Sequence, residues 1–158
     1  MRVTGIVAGL TFALDQFSKY AVVRVLGLDQ VQAIDVLPPW LNFRMAWNQG
    51  VNFGLFSGEA GMTRWVLIAV ALIISGWVWF WVRRDHPAAL AQISAGLLVG
   101  GALANVADRL FYGAVADFIN MSVPGWANPY SFNIADVAIF AGAFGLVLFT
   151  GHKDEPAA

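Results

Sequence analysis

Four long apolar runs, separated by polar stretches, set the pattern of this chain. A transmembrane helix needs about 20 predominantly apolar residues. The segments that approach this length are residues 3–25, 65–82, 88–107 and 132–151. The second carries no charge, whereas Asp15, Lys19 and Arg24 interrupt the first. The pattern predicts a membrane all-α fold in which residues 1–158 form a single domain with four transmembrane helices.

The first apolar run has a second possible interpretation. Arg2 precedes an apolar stretch of the length found in cleaved signal peptides. No convincing small-residue cleavage site follows it, and Asp15, Gln16 and Lys19 lie where the apolar core should end. We therefore interpret residues 3–25 as a retained span.

A stretch between the first two spans has the pattern of a strand. Every second residue of Leu41–Trp47 is apolar, which is the period of a half-buried β-strand. Pro38–Pro39 predicts a turn before it. The apolar excess over residues 34–57 indicates a small sheet on the membrane surface, with aromatic side chains at the level of the lipid headgroups.

The loops between the spans differ in positive charge, and this difference predicts the orientation. The short pieces on one side are residues 1–2, 83–87 and 152–158, which hold Arg2, Arg83, Arg84 and Lys153. The longer pieces on the other side hold Arg44 and Arg64. Because positively charged loops stay inside, both termini are expected in the cytoplasm, with residues 26–64 and 110–131 outside.

The composition excludes several classes of function. Apolar residues make up 59% of the chain and charged residues 12%, which excludes intrinsic disorder. The net charge of −1 lacks the basic footprint of nucleic-acid binding. The chain has no Cys, which excludes disulfides, thiolate metal sites and a Cys nucleophile. Its only His residues, His86 and His152, cannot form a conventional zinc site by themselves, so no metal is expected.

Polar side chains gather at one depth of the predicted membrane domain. Such groups are costly in a bilayer and therefore indicate function. They fall in the outer half of the membrane or just outside it: Asp15, Lys19, Asn105, Asp108, Arg109, Asp117, Asn133 and Asp136. The cytoplasmic halves are almost wholly apolar, which disfavours a transporter with a polar pathway near the midplane. A non-enzymatic assembly factor remains the alternative to an enzyme.

Two groups of these side chains have a structural as well as a functional interpretation. Asp15 and Lys19 are four residues apart and share a helix face, either as a plain ion pair or as a strut that orients a substrate or a neighbouring helix. Asn105, Asp108 and Arg109 can also share one face. They form either a polar clamp between helices, with Arg109 reaching the headgroups, or a substrate-positioning group.

Two acids suggest a carboxylate pair. Asn133 and Asp136 fit the N-cap and third residue of the last helix, so capping alone could explain them. Asp117 has no such explanation. At the outer rim of adjacent helices, the two acids would share a proton, and one carboxylate would activate a water while the other donates a hydrogen bond to a carbonyl. Their spacing leaves open whether they meet.

Five blocks of sequence carry a resemblance to a known family. They are DQFSKY at 15–20, NQGVNFGLF at 48–56, GGALANVADRL at 100–110, VADF at 115–118 and FNIADVAI at 132–139. In this order and on four spans, the chain resembles the lipoprotein signal peptidases (signal peptidase II), the aspartyl membrane proteases of bacteria. The resemblance covers the chain from Leu14 to about Leu148.

The resemblance implies a four-helix protein of the inner membrane with an extracytoplasmic β-cradle, here over about 28–60. Both termini would be cytoplasmic, and the active site would face the periplasm. The implied substrates are diacylglyceryl-modified prolipoproteins, cut on the N-terminal side of the lipidated Cys. Membrane lipids and the inhibitor globomycin are the other implied partners. No cofactor, metal or nucleic acid is implied, and we expect a monomer.

The resemblance also assigns residues. The catalytic pair falls on Asp117 and Asp136. The other motif residues, which bind substrate or support the site, are Asp15, Lys19, Asn48, Gly50, Asn105, Asp108, Arg109, Asn133 and Ala135. The chain departs from the family pattern at Val51, Asn52 and Ala104, which puts only fine selectivity in doubt. Since Asp136 lies near a helix N-terminus, we expect it to be the base and Asp117 to hold the proton.

Overall fold

The computed structural model describes residues 1–50 and 60–150, which form helices and a small sheet. The helices are α1 (Arg2–Lys19), α2 (Leu28–Val31), α3 (Ala60–Asp85), α4 (Ala89–Tyr112) and α5 (Ile134–Thr150). The strands are β1 (Ala33–Leu37), β2 (Leu41–Asn48) and β3 (Val115–Asn120). A π-helical segment, Tyr20–Val25, continues α1 without a break. The predicted elements are therefore present, together with a strand, β3, that sequence reasoning did not predict.

Within the described parts of the chain, three helical segments have the length and apolar composition needed to cross a membrane: Arg2–Val25, Met62–Asp85 and Ala89–Tyr112. They match three of the predicted spans. Helix α5 is a shorter apolar helix of 17 residues. The outward side chains of α3 and α5 are large and apolar, as Trp77 and Phe140 show. Such apolar surfaces suit contact with lipid.

Helix α4 lies at the centre of the bundle and packs against α1, α3 and α5. Glycines allow this close approach. A Cβ atom added to Gly100 would lie 2.5 Å from the Ala8 carbonyl oxygen of α1. One added to Gly101 would lie 2.5 Å from the Ala135 carbonyl oxygen of α5. Helix α4 therefore holds its polar C-terminal end between the two helices that carry most of the other polar residues.

The sheet is antiparallel with the order β1–β2–β3. A turn over residues 38–40 joins β1 to β2, as Pro38–Pro39 predicts, and the alternation in Leu41–Trp47 correctly predicts β2. The register pairs Phe43 with Ile119 and Ala46 with Asp117, with a shift between the two pairs. Strand β3 thus brings Asp117 alongside β2.

A small apolar core attaches the sheet to the end of the first span. It contains Val22 and Val23 of the π-helical segment, Leu28, Ala116 and Phe118. Phe118 also meets Phe43 edge to face, with ring centroids 5.6 Å apart. Burial of these side chains places the sheet over the same end of the bundle as the polar residues of α1 and α4.

Part of the predicted cradle lies outside the described residues. The interval 28–60 contains α2, β1 and β2, but the sequence block at 48–56 is described only to Gly50. Val51 and Asn52, two of the departures from the family pattern, fall in the part that is not described. The third departure, Ala104, is fully buried in α4.

Candidate functional site

Asp117 and Asp136 come from different kinds of element. Asp117 is the third residue of β3, and only 3% of it is exposed. Asp136 lies in the first turn of α5 and is half-buried. Asp117 thus follows the end of α4, at the rim of that helix, but it lies on a strand that sequence reasoning did not predict. Gly113 ends α4 in the left-handed conformation, and β3 starts two residues later.

Two asparagine side chains join these acids into one hydrogen-bond network. Asn133 Nδ2 donates to Asp117 Oδ1 at 2.6 Å and to Asn105 Oδ1 at 3.3 Å. Asn105 Nδ2 in turn donates to Asp136 Oδ1 at 2.9 Å. The structure thus brings together four of the predicted site residues from α4, β3 and the start of α5.

The capping interpretation of Asn133 and Asp136 is also confirmed. The backbone N–H of Asp136 donates to Asn133 Oδ1 at 2.8 Å, and the backbone N–H of Asn133 donates to Asp136 Oδ2 at 3.2 Å. This reciprocal pair is a capping box with Asp in place of Glu. Because the cap uses Asp136 Oδ2 and Asn105 binds Oδ1, capping and membership of the acid network are compatible.

A second amide approaches Asp117 from β2. Asn48 Nδ2 donates to Asp117 Oδ2 at 3.0 Å, while its Oδ1 accepts the Gly50 N–H at 2.9 Å. Gly50 has a φ of 109°, and a Cβ atom there would lie 2.6 Å from Leu67 Cδ1. Only glycine fits this backbone and this contact with α3. Gly50 therefore orients the Asn48 amide so that its NH₂ group points at Asp117.

Burial dominates the electrostatics of Asp117. Its removal from solvent raises the pKa of the carboxyl to about 6. Hydrogen bonds from Asn48 and Asn133 and the charge of Lys19 oppose this rise, whereas the nearby Asp136 adds to it. A carboxyl with this pKa takes up and releases its proton closer to neutral pH than an ordinary aspartate does.

Asp15, Lys19 and Asp108 form a buried charge cluster beside the acids. Lys19 Nζ lies 2.7 Å from Asp15 Oδ2 and 2.7 Å from Asp108 Oδ2. The predicted ion pair on α1 is confirmed, and α4 contributes a second acid to it. Lys19 Nζ also donates to Asn105 Oδ1 at 3.5 Å, which connects the cluster to the network of Asp117 and Asp136.

The predicted polar face of α4 is present. Asn105 and Asp108 are buried, and Arg109 is half-buried. Arg109 Nη1 donates to the Asn105 carbonyl oxygen at 3.2 Å, and its guanidinium interacts electrostatically with Asp117 and Asp136. Arg109 Nε is buried and has no hydrogen-bond partner among the described residues. Arg109 therefore supplies positive charge at the acid network.

Gln16 is a polar contact that the sequence-based assignment missed. Its Nε2 donates to Asp108 Oδ1 at 2.9 Å and to Asp15 Oδ2 at 3.3 Å. The only signal in the sequence was its place in the block DQFSKY, next to Asp15. Within residues 1–50 and 60–150, no group of three or more His, Cys, Asp or Glu residues could hold a metal ion.

The fold and the site define a class of protein before any comparison is made. At one end of a bundle of apolar helices, an acid on helix α5 and an acid on strand β3 are joined by amide donors. This is the architecture of a membrane enzyme with a carboxylate site.

Comparisons with known proteins identify the family. The family model of signal peptidase (SPase) II matches residues 7–151. The lipoprotein signal peptidase of Methylorubrum extorquens (strain PA1) is 44% identical over 147 residues, which cover 92% of this chain and 84% of the relative. The lipoprotein signal peptidase of Methylobacterium radiotolerans is 44% identical over 151 residues, which cover 92% of this chain and 86% of the relative. The chain belongs to the signal peptidase II family, the aspartic-type membrane proteases that remove signal peptides from prolipoproteins.

Two solved structures share the fold. Both are described as bacterial membrane enzymes, and both are 26% identical to this chain. One gives a TM-score of 0.77 and covers all of this chain and 95% of its own. The other gives a TM-score of 0.80, and the match covers 98% of this chain and 96% of that structure's chain. The arrangement of helices and sheet in the described residues is therefore that of a bacterial membrane enzyme.

Proposed function

We propose that this chain cuts diacylglyceryl-modified prolipoproteins on the N-terminal side of the lipidated Cys, using a water activated between Asp117 and Asp136. One observation carries the proposal: Asn105 and Asn133 join the two carboxylates in a single network at one end of the bundle. Acids held together in this way can divide the roles of base and proton donor.

The surroundings of each acid support the assignment of roles. Asp136 accepts two N–H groups and lies in the first turn of α5, where the helix dipole stabilises negative charge. It is the base. Asp117 is deeply buried, and burial raises its pKa to about 6, which favours a proton on this acid.

The reaction then follows in two steps. Asp136 takes a proton from the water as the water oxygen bonds to the scissile carbonyl carbon, and Asp117 gives its proton to the carbonyl oxygen. Collapse of the tetrahedral intermediate breaks the C–N bond. Asp136 passes its proton to the leaving amine of the lipidated Cys, and the new carboxyl group returns a proton to Asp117.

The membrane position of the site suits a lipidated substrate. The substrate enters sideways from the bilayer and keeps its acyl chains in lipid. Arg109, whose Nε is buried without a described partner, and Asn48 hold the peptide backbone beside the acids. Globomycin would inhibit the enzyme by occupying the same place. We further propose four spans, cytoplasmic termini, an extracytoplasmic site in the inner membrane and a monomer.

Cleavage of a diacylglyceryl-modified prolipoprotein by the purified protein in detergent tests the proposal. The native protein should cut the lipidated substrate and leave the unlipidated one intact. Asp117→Asn and Asp136→Asn should each remain folded and lose cleavage, because each removes one of the two proton-transferring groups. Near-native turnover by either variant would refute the roles given to the acids. A folded native protein that cuts nothing would instead favour an assembly factor.

A further inference from the structure

The backbone immediately before each of the two acids is held by a buried carboxylate. The Ala135 N–H, one residue before Asp136, donates to Asp15 Oδ1 at 2.9 Å. The Ala116 N–H, one residue before Asp117, donates to Asp108 Oδ2 at 3.1 Å. In both β3 and α5, the residue before the acid therefore donates its backbone N–H to a buried carboxylate.

A single lysine joins these two carboxylates. Lys19 Nζ lies 2.7 Å from an oxygen of each, and Asp15, Lys19 and Asp108 are 0%, 6% and 1% exposed. Gln16 Nε2 adds a neutral donor to both, at 3.3 Å from Asp15 Oδ2 and 2.9 Å from Asp108 Oδ1. Two carboxylates share one ammonium, so N–H donors must stabilise the remaining negative charge.

We propose that Asp15, Lys19 and Asp108 form a clamp that sets the separation of Asp117 and Asp136. The inference rests on the proposed function, since it takes those two acids as the reacting pair. Among the hydrogen bonds of the described residues, none joins a clamp side chain directly to Asp117 or Asp136. The clamp residues are therefore positioning residues: Asp108 and Asp15 act through the peptide units of Ala116 and Ala135, and Lys19 acts through these two acids and through Asn105.

The cost of burial gives this assignment its physical basis. Burying charged groups is expensive even when they are paired, so a buried ion cluster is poor evidence for stability alone. This cluster instead controls position. Asp15 accepts the Ala135 N–H, and helix α4 packs so closely at Gly101 that an added Cβ atom would lie 2.5 Å from the Ala135 carbonyl oxygen. Catalytic groups displaced by about 1 Å can lose about a hundredfold in rate.

Backbone hydrogen bonds that do not involve the clamp also hold β3 to the start of α5. The clamp can therefore be weakened without separating β3 from α5. Ile119 and Phe132 exchange backbone hydrogen bonds at 2.8 and 3.0 Å. This pairing closes the chain between β3 and the start of α5 independently of Asp108. Variants at Asp108 are therefore expected to fold, and a thermal unfolding midpoint in detergent verifies it.

Two substitutions of one residue separate the contact from the charge. Asp108→Ala removes the acceptor of the Ala116 N–H, and kcat should fall about a hundredfold with KM within about twofold, since no substrate contact is lost. Asp108→Asn keeps an oxygen for that N–H, and kcat should fall only about tenfold. The control is Arg24→Met, which breaks another 2.7 Å ion pair, with Asp29, near the same end of the bundle. It should leave both constants unchanged.

The pH dependence of kcat/KM distinguishes positioning from a general structural effect. The charged groups around the acid pair are Lys19 and Asp15 on α1 and Asp108 and Arg109 on α4. The profile is expected to be bell-shaped, with an acidic limb and an alkaline limb that report the two acids. Removing the negative charge of Asp108 shifts both limbs in the same direction. Moving the two acids apart weakens their coupling and brings the limbs closer together. We expect this narrowing in Asp108→Ala and less of it in Asp108→Asn.

Several outcomes would overturn the clamp. One is a folded Asp108→Ala protein whose kcat equals that of the native enzyme. Another is an Asp108→Ala protein in which only KM changes. The third is a pH profile of Asp108→Ala in which the two limbs are as far apart as in the native enzyme. If Asp108→Ala does not accumulate as folded protein, the limb separation in Asp108→Asn decides in the same way. Failure of the proposed function has a different signature. If Asp117 and Asp136 are not the reacting pair, Asp117→Asn retains activity. The variants at Asp108 and Arg24 keep both acids and therefore test only the clamp.

Discussion

Asn133 contacts both acids through different atoms. Its side chain is fully buried, its Nδ2 binds Asp117, and its Oδ1 and backbone N–H form the cap with Asp136. A single residue thus stabilises the start of α5 and links the two carboxylates. These two roles can be separated by substitution, because they use different ends of the side-chain amide.

Asn133→Asp should keep the cap and disrupt the acid network. The variant retains an oxygen for the Asp136 N–H but places a carboxylate oxygen where the NH₂ group stood, 2.6 Å from Asp117 Oδ1. The variant loses the N–H donor to Asp117, and the new acid competes for the proton that Asp117 holds, so kcat should fall about a hundredfold or more. Asn133→Ala loses the cap as well and should cost about a further 1 kcal/mol of stability. Cleavage rates and denaturant unfolding measure the two effects, and equal stability of the two variants would contradict the role of the cap.

The raised pKa of Asp117 predicts how stability depends on pH. The folded protein binds this proton more tightly than the unfolded chain, because the pKa is about 6 when folded against 3.8 for the free group. Between these values the native state holds more protons, so the contribution of Asp117 to stability falls as pH rises from about 4 to about 6. Asp117→Asn cannot titrate and should lack this fall. Thermal midpoints of both proteins across that range test the prediction, and parallel curves would contradict it.

At the scale of elements, close approach of helices determines where the acids lie. Gly101 of α4 lies against the Ala135 carbonyl, one residue before Asp136, and Gly100 lies against α1. Small residues here bring the polar ends of α1, α4 and α5 into hydrogen-bond distance. The sheet contributes in the same way, because its register carries Asp117 to β2 and to Asn48.

Gly101→Ala should displace the start of α5 and with it Asp136. The added methyl group would lie 2.5 Å from a backbone oxygen, which the packing cannot accept without a shift. We expect a loss of about 1–3 kcal/mol in stability and a clear loss of turnover. Gly9→Ala on α1 is the matched control, since an added Cβ there meets no atom within 4 Å. Thermal unfolding and cleavage assays compare them, and equal effects of the two substitutions would contradict the packing argument.

For the whole molecule, orientation and span count are the properties to test. The chain contains no Cys, so single introduced cysteines report accessibility without interference. A membrane-impermeant maleimide should label Ala127→Cys in intact spheroplasts. It should label Arg84→Cys and Thr150→Cys only after lysis, because both sites lie in the last turn of a helix that ends on the cytoplasmic side in the proposed topology. Labelling of Thr150→Cys before lysis would contradict the crossing of α5.

Local patterns in the sequence determined a large part of this protein. The apolar runs predicted the helices, the alternation in Leu41–Trp47 predicted β2, and Asn133 with Asp136 predicted the cap. Each of these depends on residues within a few positions of one another, so period and residue type are sufficient. The paired acids and their supporting residues came partly from chemistry and partly from the family resemblance.

Tertiary structure alone decided how the separate polar residues meet. Strand β3 was missed because its pairing with β2 joins positions about seventy residues apart, and nothing in VADFIN alternates strongly enough to reveal it. The contacts of Asp15 with Ala135 and of Gln16 with Asp108 cross 120 and 92 residues of chain. Such contacts depend on how glycine-lined helices pack, which no local pattern encodes. The sequence therefore determined which groups the site contains, and the packing of α1, α4 and α5 decided the distances between them.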